Sequence, residues 1–338
     1  MKRRATISQV AKKAGVSTAT VSRYLNQTAQ VSDDTAERIR SAIDRLSYIP
    51  SFAGRSLKEN RSRTIGVVIP SIIPHSYSLA VESLQSACRE RDYAALVMTT
   101  AYEPDSEHQA LETLIARGVD GLIINLGSAH LDTHLAWLET LDVPFVLLFN
   151  EQEHSQHPFV AAENRLAMQQ LVEYVTGLGH ERITLLAGDF SSARRYALRA
   201  QGYREAMAAA GLKQHIKVHE LPLSLDGTKA LVSQILTEPR RPSVLLTTHN
   251  SLAFHVLGLL HQQNIRVPAD MSLATFNGHD IARLLSPTLC SIEQPFDAMG
   301  TAAVNILLGL IDGKTGNTQQ RFSCELQTGQ SLVRLGKR

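Results

Sequence analysis

The sequence predicts an α/β protein in which a small all-α unit precedes a larger core of two parallel sheets. In the first fifty residues, apolar side chains recur at helical spacing. From Thr64 onward, short apolar runs typical of buried strands alternate with amphipathic helices. About ten such strand–helix units follow one another, and they indicate two open sheets rather than one. The 338 residues, 43% of them hydrophobic, suffice for two or three domains and exclude a disordered chain.

Three short helices are expected within residues 1–50. Thr6 can cap the first helix through its hydroxyl, and Ser17 can cap the second. Gly15 separates them, because glycine tolerates the backbone twist of a tight turn. A third segment with helical periodicity opens at Ser32. A helix, a short glycine-containing turn, a second helix and a supporting helix form the helix-turn-helix layout.

Charge is distributed unevenly along the chain. Residues 1–63 contain 13 Lys and Arg against 5 Asp and Glu, a net charge of +8, whereas the remainder has 21 basic and 27 acidic residues, a net charge of −6. This separation predicts a polyanion-binding unit joined to a body that does not bind polyanions. The alternatives are a solvated basic tail and a three-helix bundle without a DNA role.

The core alternates between strands and helices over its whole length. Strands are expected at residues 65–70, 94–99, 121–125, 145–149, 183–187, 244–247 and 271–276. Helices are expected at about residues 78–91, 106–117, 164–178, 199–210, 251–263 and 297–311. Two parallel lobes of this kind bind ligands at the carboxyl ends of their strands, which here face a cleft.

Several classes of protein are disfavoured by the same sequence. The chain has no run of about 18 apolar residues, so no membrane partner is expected. Its basic N-terminus lacks the apolar segment of a signal peptide, which predicts a cytoplasmic location. The three cysteines have no metal spacing and are expected to be reduced, mostly buried thiols.

Enzyme chemistry also finds no support in the sequence. The patterns GxGxxG, GxSxG and HExxH are absent. The acidic and histidine-rich segment at residues 151–157 is interpreted as a polar loop rather than a metal site. We therefore expect no catalytic residues, no metal and no cofactor.

A dense set of positions carries a resemblance to a known family. In the helical unit the set comprises Val10-Ala11, Ala14-Gly15-Val16-Ser17, Thr20-Val21-Ser22-Arg23, Asn26, Val31-Ser32, Thr35 and Tyr48-Ile49-Pro50. Further landmarks are Gly179-His180, Arg199-Ala200-Gln201-Gly202-Tyr203, Val267-Pro268, Ser286-Pro287 and Met299-Gly300. Over about residues 5–334 the chain resembles the LacI/GalR family of bacterial transcription repressors.

This resemblance implies a domain organisation. Residues 1–50 would form the helix-turn-helix headpiece, residues 51–63 a hinge helix or linker, and residues 64–338 an effector-binding and dimerisation core with the two-lobed periplasmic-binding-protein-like fold. One lobe would contain about residues 64–162 and 294–324. The other would contain about residues 163–293 and 325–338.

The resemblance also implies which residues meet DNA. Thr18, Ala19 and Arg23 would face operator bases, and Thr20 and Ser22 would face the backbone. In the hinge, Leu57 would wedge into the minor groove and kink the duplex. Packing of Leu57 on the core is the alternative. The implied DNA-binding set is Thr6, Ser17, Thr18, Ala19, Thr20, Ser22, Arg23, Asn26, Arg55 and Leu57.

The implied effector-binding residues have a distinctive charge pattern. Asn150 and Asn277 stand where sugar-binding relatives carry aspartate, whereas three arginines are retained at 194, 195 and 199. Lost carboxylates beside retained arginines favour a sugar acid or sugar phosphate over a neutral sugar. The alternative is that Arg194 and Arg195 face solvent. The implied set is Asn125, Asn150, Ser191, Arg195, Arg199, His249, Asn277 and Gln294.

The run from Phe276 to Ile281 is similar to one found in gluconate-type repressors.

Together the headpiece, the hinge and the cleft residues predict a homodimeric repressor whose operator affinity depends on a small carbohydrate-type effector held between the core lobes. The expected partners are double-stranded operator DNA, the effector and a second copy of the chain. The alternatives are a cytoplasmic solute-binding protein and a sugar-fold enzyme, neither with a DNA-regulatory role.

Overall fold

Two compact units make up the chain, Met1–Ser62 and Arg63–Arg338. The computed structural model describes residues 5–26, 29–49, 61–151, 156–221 and 225–335. Arg55 and Leu57 of the predicted hinge lie outside these ranges, as do residues 152–155 of the histidine-rich segment.

The first unit contains the three helices that the sequence predicts. They are α1 (Ile7–Ala14), α2 (Thr18–Leu25) and α3 (Asp33–Leu46). Thr6 and Gln9 form a reciprocal capping box at the start of α1, and Gly15 ends that helix with a φ of 69°. Ser17 caps α2 by accepting a hydrogen bond from the Thr20 amide.

A small apolar core holds these three helices together. One buried side chain comes from each helix, namely Val10, Val21 and Ile39, and none of the three is exposed to solvent. Val21 turns one side of α2 into this core, and the residues on the other side lie at the surface of the unit.

The second unit alternates strands and helices as predicted. Its strands are β1 (Thr64–Ile69), β2 (Ala94–Thr99), β3 (Gly121–Ile124), β4 (Phe145–Leu148), β5 (Phe159–Ala162), β6 (Ile183–Gly188), β7 (Lys217–Leu221), β8 (Val244–Thr247), β9 (Ser272–Phe276), β10 (Cys290–Glu293), β11 (Gln319–Phe322) and β12 (Glu325–Gln327). Its helices are α4 (His75–Arg89), α5 (Pro104–Ala116), α6 (Leu131–Thr140), α7 (Asn164–Gly177), α8 (Arg194–Ala209), α9 (Leu225–Thr237), α10 (Asn250–Gln262), α11 (His279–Leu284) and α12 (Phe296–Ile311).

Two six-stranded sheets organise these elements. The first has the order β11-β5-β4-β3-β1-β2 and the second β12-β10-β9-β8-β6-β7. Neighbouring strands are parallel, except that β12 runs antiparallel to β10. The predicted α/β class with parallel sheets and a helical N-terminal unit is thereby confirmed.

Apolar helix faces cover both sides of each sheet. In the first sheet, α4 and α12 pack on one face, and α5 and α6 pack on the other. In the second sheet, α7 and α8 cover one face, while α9, α10 and α11 cover the opposite one. We refer to each sheet with its helices as the first and second lobe. Such double coverage explains why the central strands read as continuous apolar runs.

The chain passes between the lobes at three places. It leaves the first sheet after β5, returns between β10 and α12, and crosses again between β11 and β12. Cys324 lies in this last crossing and is partly buried, whereas Cys88 and Cys290 are buried, and all three are free thiols.

Some element boundaries differ from the predicted ones. The helix expected at about 199–210 begins earlier, at Arg194, because its first turns bury arginines that apolar periodicity does not detect. Strands β5, β7, β10, β11 and β12 were not predicted, because each has only three to five residues and β7, β11 and β12 are largely polar edge strands. No helix in the described ranges is long and apolar enough to cross a membrane.

His180 ties the C-terminal segment to the second lobe. Its buried ring places Nδ1 2.8 Å from the Ser243 hydroxyl and Nε2 2.8 Å from the carbonyl oxygen of Val333. A carbonyl oxygen can only accept, so Nε2 carries the proton. Burial lowers the pKa of His180 below its ordinary value.

This depressed pKa predicts a pH-dependent stability. Above about pH 6.5 the contribution of His180 is fully present, and it is lost as the pH falls, because the unfolded chain then binds a proton that the folded protein resists. His180→Gln should lower the free energy of unfolding by about 1–3 kcal/mol near neutral pH and reduce its dependence on pH. Urea titrations at about pH 7.5 and 5.5 measure both effects. The exposed His130→Gln is the matched control, and an unchanged pH dependence in the His180 variant would contradict this role.

Candidate functional site

The outward side of α2 presents the residues predicted to read DNA. Thr18, Ala19 and Arg23 are exposed, whereas Thr20 and Ser22 are half-buried along the same helix. Small side chains at the start of α2 leave room for close approach to base edges, and Arg23 supplies a long forked donor. The described part of the headpiece therefore offers a compact recognition surface.

The remaining predicted headpiece residues lie at helix ends. Thr6 and Ser17 cap α1 and α2, and their hydroxyls keep the amide-rich starts of these helices ordered. Asn26 ends α2 and donates from Nδ2 to the Ser22 hydroxyl over 3.3 Å. Amide groups at helix N-termini are suited to phosphate oxygens.

A cavity of about 780 Å³ opens between the two lobes of the core. It lies beyond the carboxyl ends of β1, β2 and β4 in the first lobe and of β9 and β10 in the second. In parallel sheets this edge is where ligands bind. The volume suits a ligand of the size of a monosaccharide or disaccharide.

Arg195 joins the two lobes across this cavity. It lies near the start of α8 in the second lobe and is only 8% exposed. Its Nη2 donates to the Tyr77 hydroxyl over 2.5 Å and to the Tyr102 hydroxyl over 2.8 Å, and both tyrosines belong to the first lobe. Burial raises the pKa of both phenols, so these partners are neutral.

Asn125 and Asn150 lie behind these tyrosines. Both phenol hydroxyls lie within hydrogen-bond distance of Asn125 Oδ1, at 3.2 and 3.3 Å. Asn125 in turn donates from Nδ2 to Asn150 Oδ1 over 2.7 Å. The two asparagines therefore hold the tyrosines and do not line the cavity themselves.

Arg199 follows Arg195 by one helical turn and is almost fully buried. It donates from Nε to Asn164 Oδ1 over 2.9 Å and from Nη1 to the Thr248 carbonyl oxygen, and its guanidinium lies 3.9 Å above the Phe276 ring. Burial, followed by repulsion from Arg195, lowers the pKa of Arg199 to about 9.

His249 caps α10 at the wall of the cavity. Its Nδ1 accepts a hydrogen bond from the Leu252 amide over 3.2 Å. Burial, with a smaller contribution from Arg199, lowers the pKa of His249 to about 3. The ring is therefore neutral, and because Nδ1 must accept, Nε2 carries the proton.

Asn277 and Gln294 form a hydrogen-bonded pair at the carboxyl ends of β9 and β10. Gln294 Nε2 donates to Asn277 Oδ1 over 2.8 Å. Asn277 has a φ of 60°, a conformation that asparagine tolerates better than most residues. Both residues line the cavity, and an amide pair here replaces the carboxylate that the resemblance implies.

Five of the eight predicted effector residues thus line one cavity. They are Arg195, Arg199, His249, Asn277 and Gln294. Ser191 lies outside the lining, because its hydroxyl donates to Asp189 Oδ1 in an exposed loop before α8. Arg195 does not face solvent, and Arg194 is half-buried outside the lining.

Sequence reasoning missed the aromatic walls of the cavity. Tyr77, Tyr102, Phe149, Tyr196 and Phe296 all line it. They lie on different elements, and their sequence signal is weak: Phe149 directly follows β4, and Tyr102 and Phe296 each lie three residues after a strand end. Aromatic faces of this kind suit the apolar faces of a sugar ring.

Comparisons with known proteins agree with this arrangement. Residues 6–51 match the family model "Bacterial regulatory proteins, lacI family", and residues 172–332 match "Periplasmic binding protein-like domain". The ribose operon repressor of Escherichia coli strain K12 is 31% identical over 320 residues, which cover 94% of this chain and 96% of that protein.

The chain belongs to the lacI family of bacterial regulatory proteins. It is a DNA-binding transcription regulator of that family.

Two further proteins support this LacI-family assignment. The HTH-type transcriptional regulator GntR of Escherichia coli strain K12 is 29% identical over 314 residues, covering 93% of this chain and 94% of the relative. The lac repressor dimer bound to operator and the anti-inducer ONPF has a TM-score of 0.87 and 27% identity, and the match covers 98% of this chain and all of that one.

The bridge between the lobes of this regulator predicts a stability effect. Tyr77→Phe removes one of the two hydroxyls that accept from Arg195, so a buried guanidinium loses a partner. We expect the free energy of unfolding to fall by about 1–3 kcal/mol in chemical denaturation. Tyr174→Phe on α7 is the matched control and should stay within about 0.5 kcal/mol of the wild type. Equal stability of the two variants would contradict the bridge.

Proposed function

We propose that this LacI-family regulator is a homodimeric repressor whose operator affinity is controlled by an anionic carbohydrate bound in the core cavity. In this proposal residues 51–63 link the headpiece to the core, and the two lobes correspond to about residues 64–162 with 294–324 and residues 163–293 with 325–338. The lac repressor, with which the chain shares 27% identity, forms such a dimer on its operator.

The headpiece supplies the DNA side of the proposal. Arg23 is assigned to base contact, with Thr18 and Ala19 contributing small contacts at the start of α2. Thr6, Ser17, Thr20, Ser22 and Asn26 are assigned to the phosphate backbone. In the hinge, Leu57 is assigned to the minor-groove wedge and Arg55 to the same groove.

The observation that carries the effector proposal is a set of three buried donors. Arg195 Nη1, Arg199 Nη2 and His249 Nε2 are buried and lack hydrogen-bond partners among the described residues. All three are N–H donors, and their residues line the same cavity. Within the described lining the single carboxylate is Glu103, which is exposed.

Burial of two guanidiniums without a carboxylate is unfavourable, because each charge loses its hydration. An anionic ligand supplies the missing counter-charge and accepts from several donors at once. A carboxylate or phosphate on a sugar satisfies both conditions, while the aromatic walls contact the sugar ring. Asn277 and Gln294 then hydrogen-bond to hydroxyl groups.

A neutral sugar is the second candidate. The ribose operon repressor shares 31% identity with this chain, and its name associates that protein with ribose. Neutral hydroxyls can accept from the three donors, although they leave the guanidinium charge uncompensated.

The proposal also assigns a cellular location to the protein and a non-catalytic role to the cavity. Because its partner is operator DNA, we place the protein in the cytoplasm. Because the ribose operon repressor and GntR are both regulators, we infer that the cavity binds its ligand without turning it over.

Binding of the ligand and binding of the operator are coupled in this proposal. Each changes the affinity for the other by the same factor, since binding free energies are coupled reciprocally.

The DNA assignment predicts the effect of changing Arg23. Arg23→Met should weaken binding to the preferred operator by about 1–3 kcal/mol and relax base preference at one position, because a forked base contact is lost. Fluorescence anisotropy at fixed salt measures the affinity and the base preference. The duplexes are those that the wild-type protein selects from a random pool, together with their single-base variants. Arg45→Met, which removes the same charge from the exposed end of α3, is the control and should weaken all duplexes by similar amounts. Unaltered base preference in the Arg23 variant would contradict the assignment.

The effector assignment predicts opposite results for two substitutions at His249. Asparagine and aspartate both cap helices, so both variants should keep the fold. His249→Asn retains a donor, whereas His249→Asp places a carboxylate beside the two arginines. We expect D-gluconate or ribose 5-phosphate to raise the melting temperature of the wild type and of the Asn variant. The Asp variant should lose this response.

D-ribose serves as the neutral comparison in the same thermal-shift series. A response of the wild-type protein to D-ribose alone would reject an anionic effector and favour the second candidate. An Asp variant that still responds to D-gluconate would show that His249 lies away from the anion.

A further inference from the structure

Glu107 is a fully buried carboxylate that takes no part in the cavity. It lies on α5 in the first lobe. Its Oε1 accepts a hydrogen bond from the Gly127 amide over 2.7 Å, and its Oε2 lies 3.3 Å from Nε2 of buried His134 on α6. A buried polar group is costly unless it is hydrogen-bonded, so the bond from the Gly127 amide ties Glu107 to the segment that follows β3.

The segment that Glu107 holds touches the opposite lobe. Directly after Gly127, the Ser128 amide donates to the Ser192 carbonyl oxygen over 3.3 Å, and the Ala129 amide donates to the Ser191 carbonyl oxygen over 3.1 Å. In return, the Arg194 amide donates to the Ser128 hydroxyl over 2.6 Å. We call these three hydrogen bonds, between residues 128–129 and residues 191–194, the clasp.

The clasp ends at the element that carries the cavity arginines. Arg194 is the first residue of α8, and Arg195 and Arg199 follow it on that helix. Glu107 therefore fixes one side of a contact whose other side starts α8.

We propose that Glu107 is a positioning residue that holds the clasp in register and thereby sets the start of α8, with its two cavity arginines, against the first lobe. Accepting the Gly127 amide orients the next two peptide groups so that both amides face the loop of the other lobe. The ring of His134 lies beside the second carboxylate oxygen, with Nε2 3.3 Å from Oε2. The proposal concerns how the lobes are joined and does not depend on the identity of the effector.

The test is hydrogen–deuterium exchange of the ligand-free, full-length protein, resolved at the amides of Gly127, Ser128, Ala129 and Arg194. Glu107→Met keeps the length of the side chain and removes the acceptor, whereas Glu107→Gln keeps an acceptor. In the Met variant, we expect exchange at Arg194, across the cleft, to rise about tenfold together with exchange at Gly127. The Gln variant should stay close to the wild type. Exposed Glu112→Met on the same helix is the control for an equivalent change outside the clasp.

Each outcome decides for or against the assignment. Faster exchange at residues 127–129 with unchanged exchange at Arg194 would mean a purely local structural role and would overturn the proposal. A Gln variant as fast as the Met variant, or a control that matches it, would do the same.

A reciprocal variant keeps the proposal testable if Glu107→Met does not fold. Ser128→Ala removes only the acceptor for the Arg194 amide and leaves the lobe core intact. Coupling through the clasp predicts about tenfold faster exchange of the Gly127 amide, which Glu107 holds. Unchanged protection of Gly127 would show that the clasp and Glu107 are independent.

Discussion

The core depends on one electrostatic constraint, the burial of two guanidinium groups at the cleft between the lobes without a carboxylate partner among the described residues. Arg195 is stabilised by the hydroxyls of Tyr77 and Tyr102, and Arg199 by an asparagine, a carbonyl oxygen and the face of Phe276. Neutral partners satisfy individual N–H groups but leave the charge uncompensated. One N–H group of each guanidinium, on Arg195 Nη1 and Arg199 Nη2, also has no hydrogen-bond partner among the described residues, and both residues line the cleft.

Local sequence signals were sufficient for the elements that form from nearby residues. Thr6, Gly15 and Ser17 predicted the ends of α1 and α2, because capping and a left-handed turn depend on a few adjacent residues. Seven strands of the two sheets were equally visible as apolar runs, since strands covered on two faces are continuously apolar. Strands β5, β7, β10, β11 and β12 were not predicted, because runs of three to five residues carry too little pattern and those in β7, β11 and β12 are largely polar.

The site was only partly predictable for a related reason. The resemblance indicated Arg195, Arg199, His249, Asn277 and Gln294, and all five line the cavity. It could not indicate that Asn125 and Asn150 act through Tyr77 and Tyr102, because those contacts join residues far apart in the sequence. The tautomer of His249 likewise depends on a hydrogen bond from the Leu252 amide, which exists only once α10 has formed. Ser191 does not line the cavity, since its hydroxyl donates to Asp189 Oδ1 within its own loop.

The last crossing between the lobes has a consequence for synthesis of the protein. The first sheet is completed by β11 and covered by α12, although its other strands end at Ala162. During translation, the outer strand and one covering helix of the first lobe are therefore synthesised only after almost all of the chain has been made. The second lobe receives its own edge strand only two residues after β11 ends. Both lobes therefore reach their final form together at the end of synthesis, and a chain that stops before residue 319 leaves two unfinished sheets with open edges that invite aggregation.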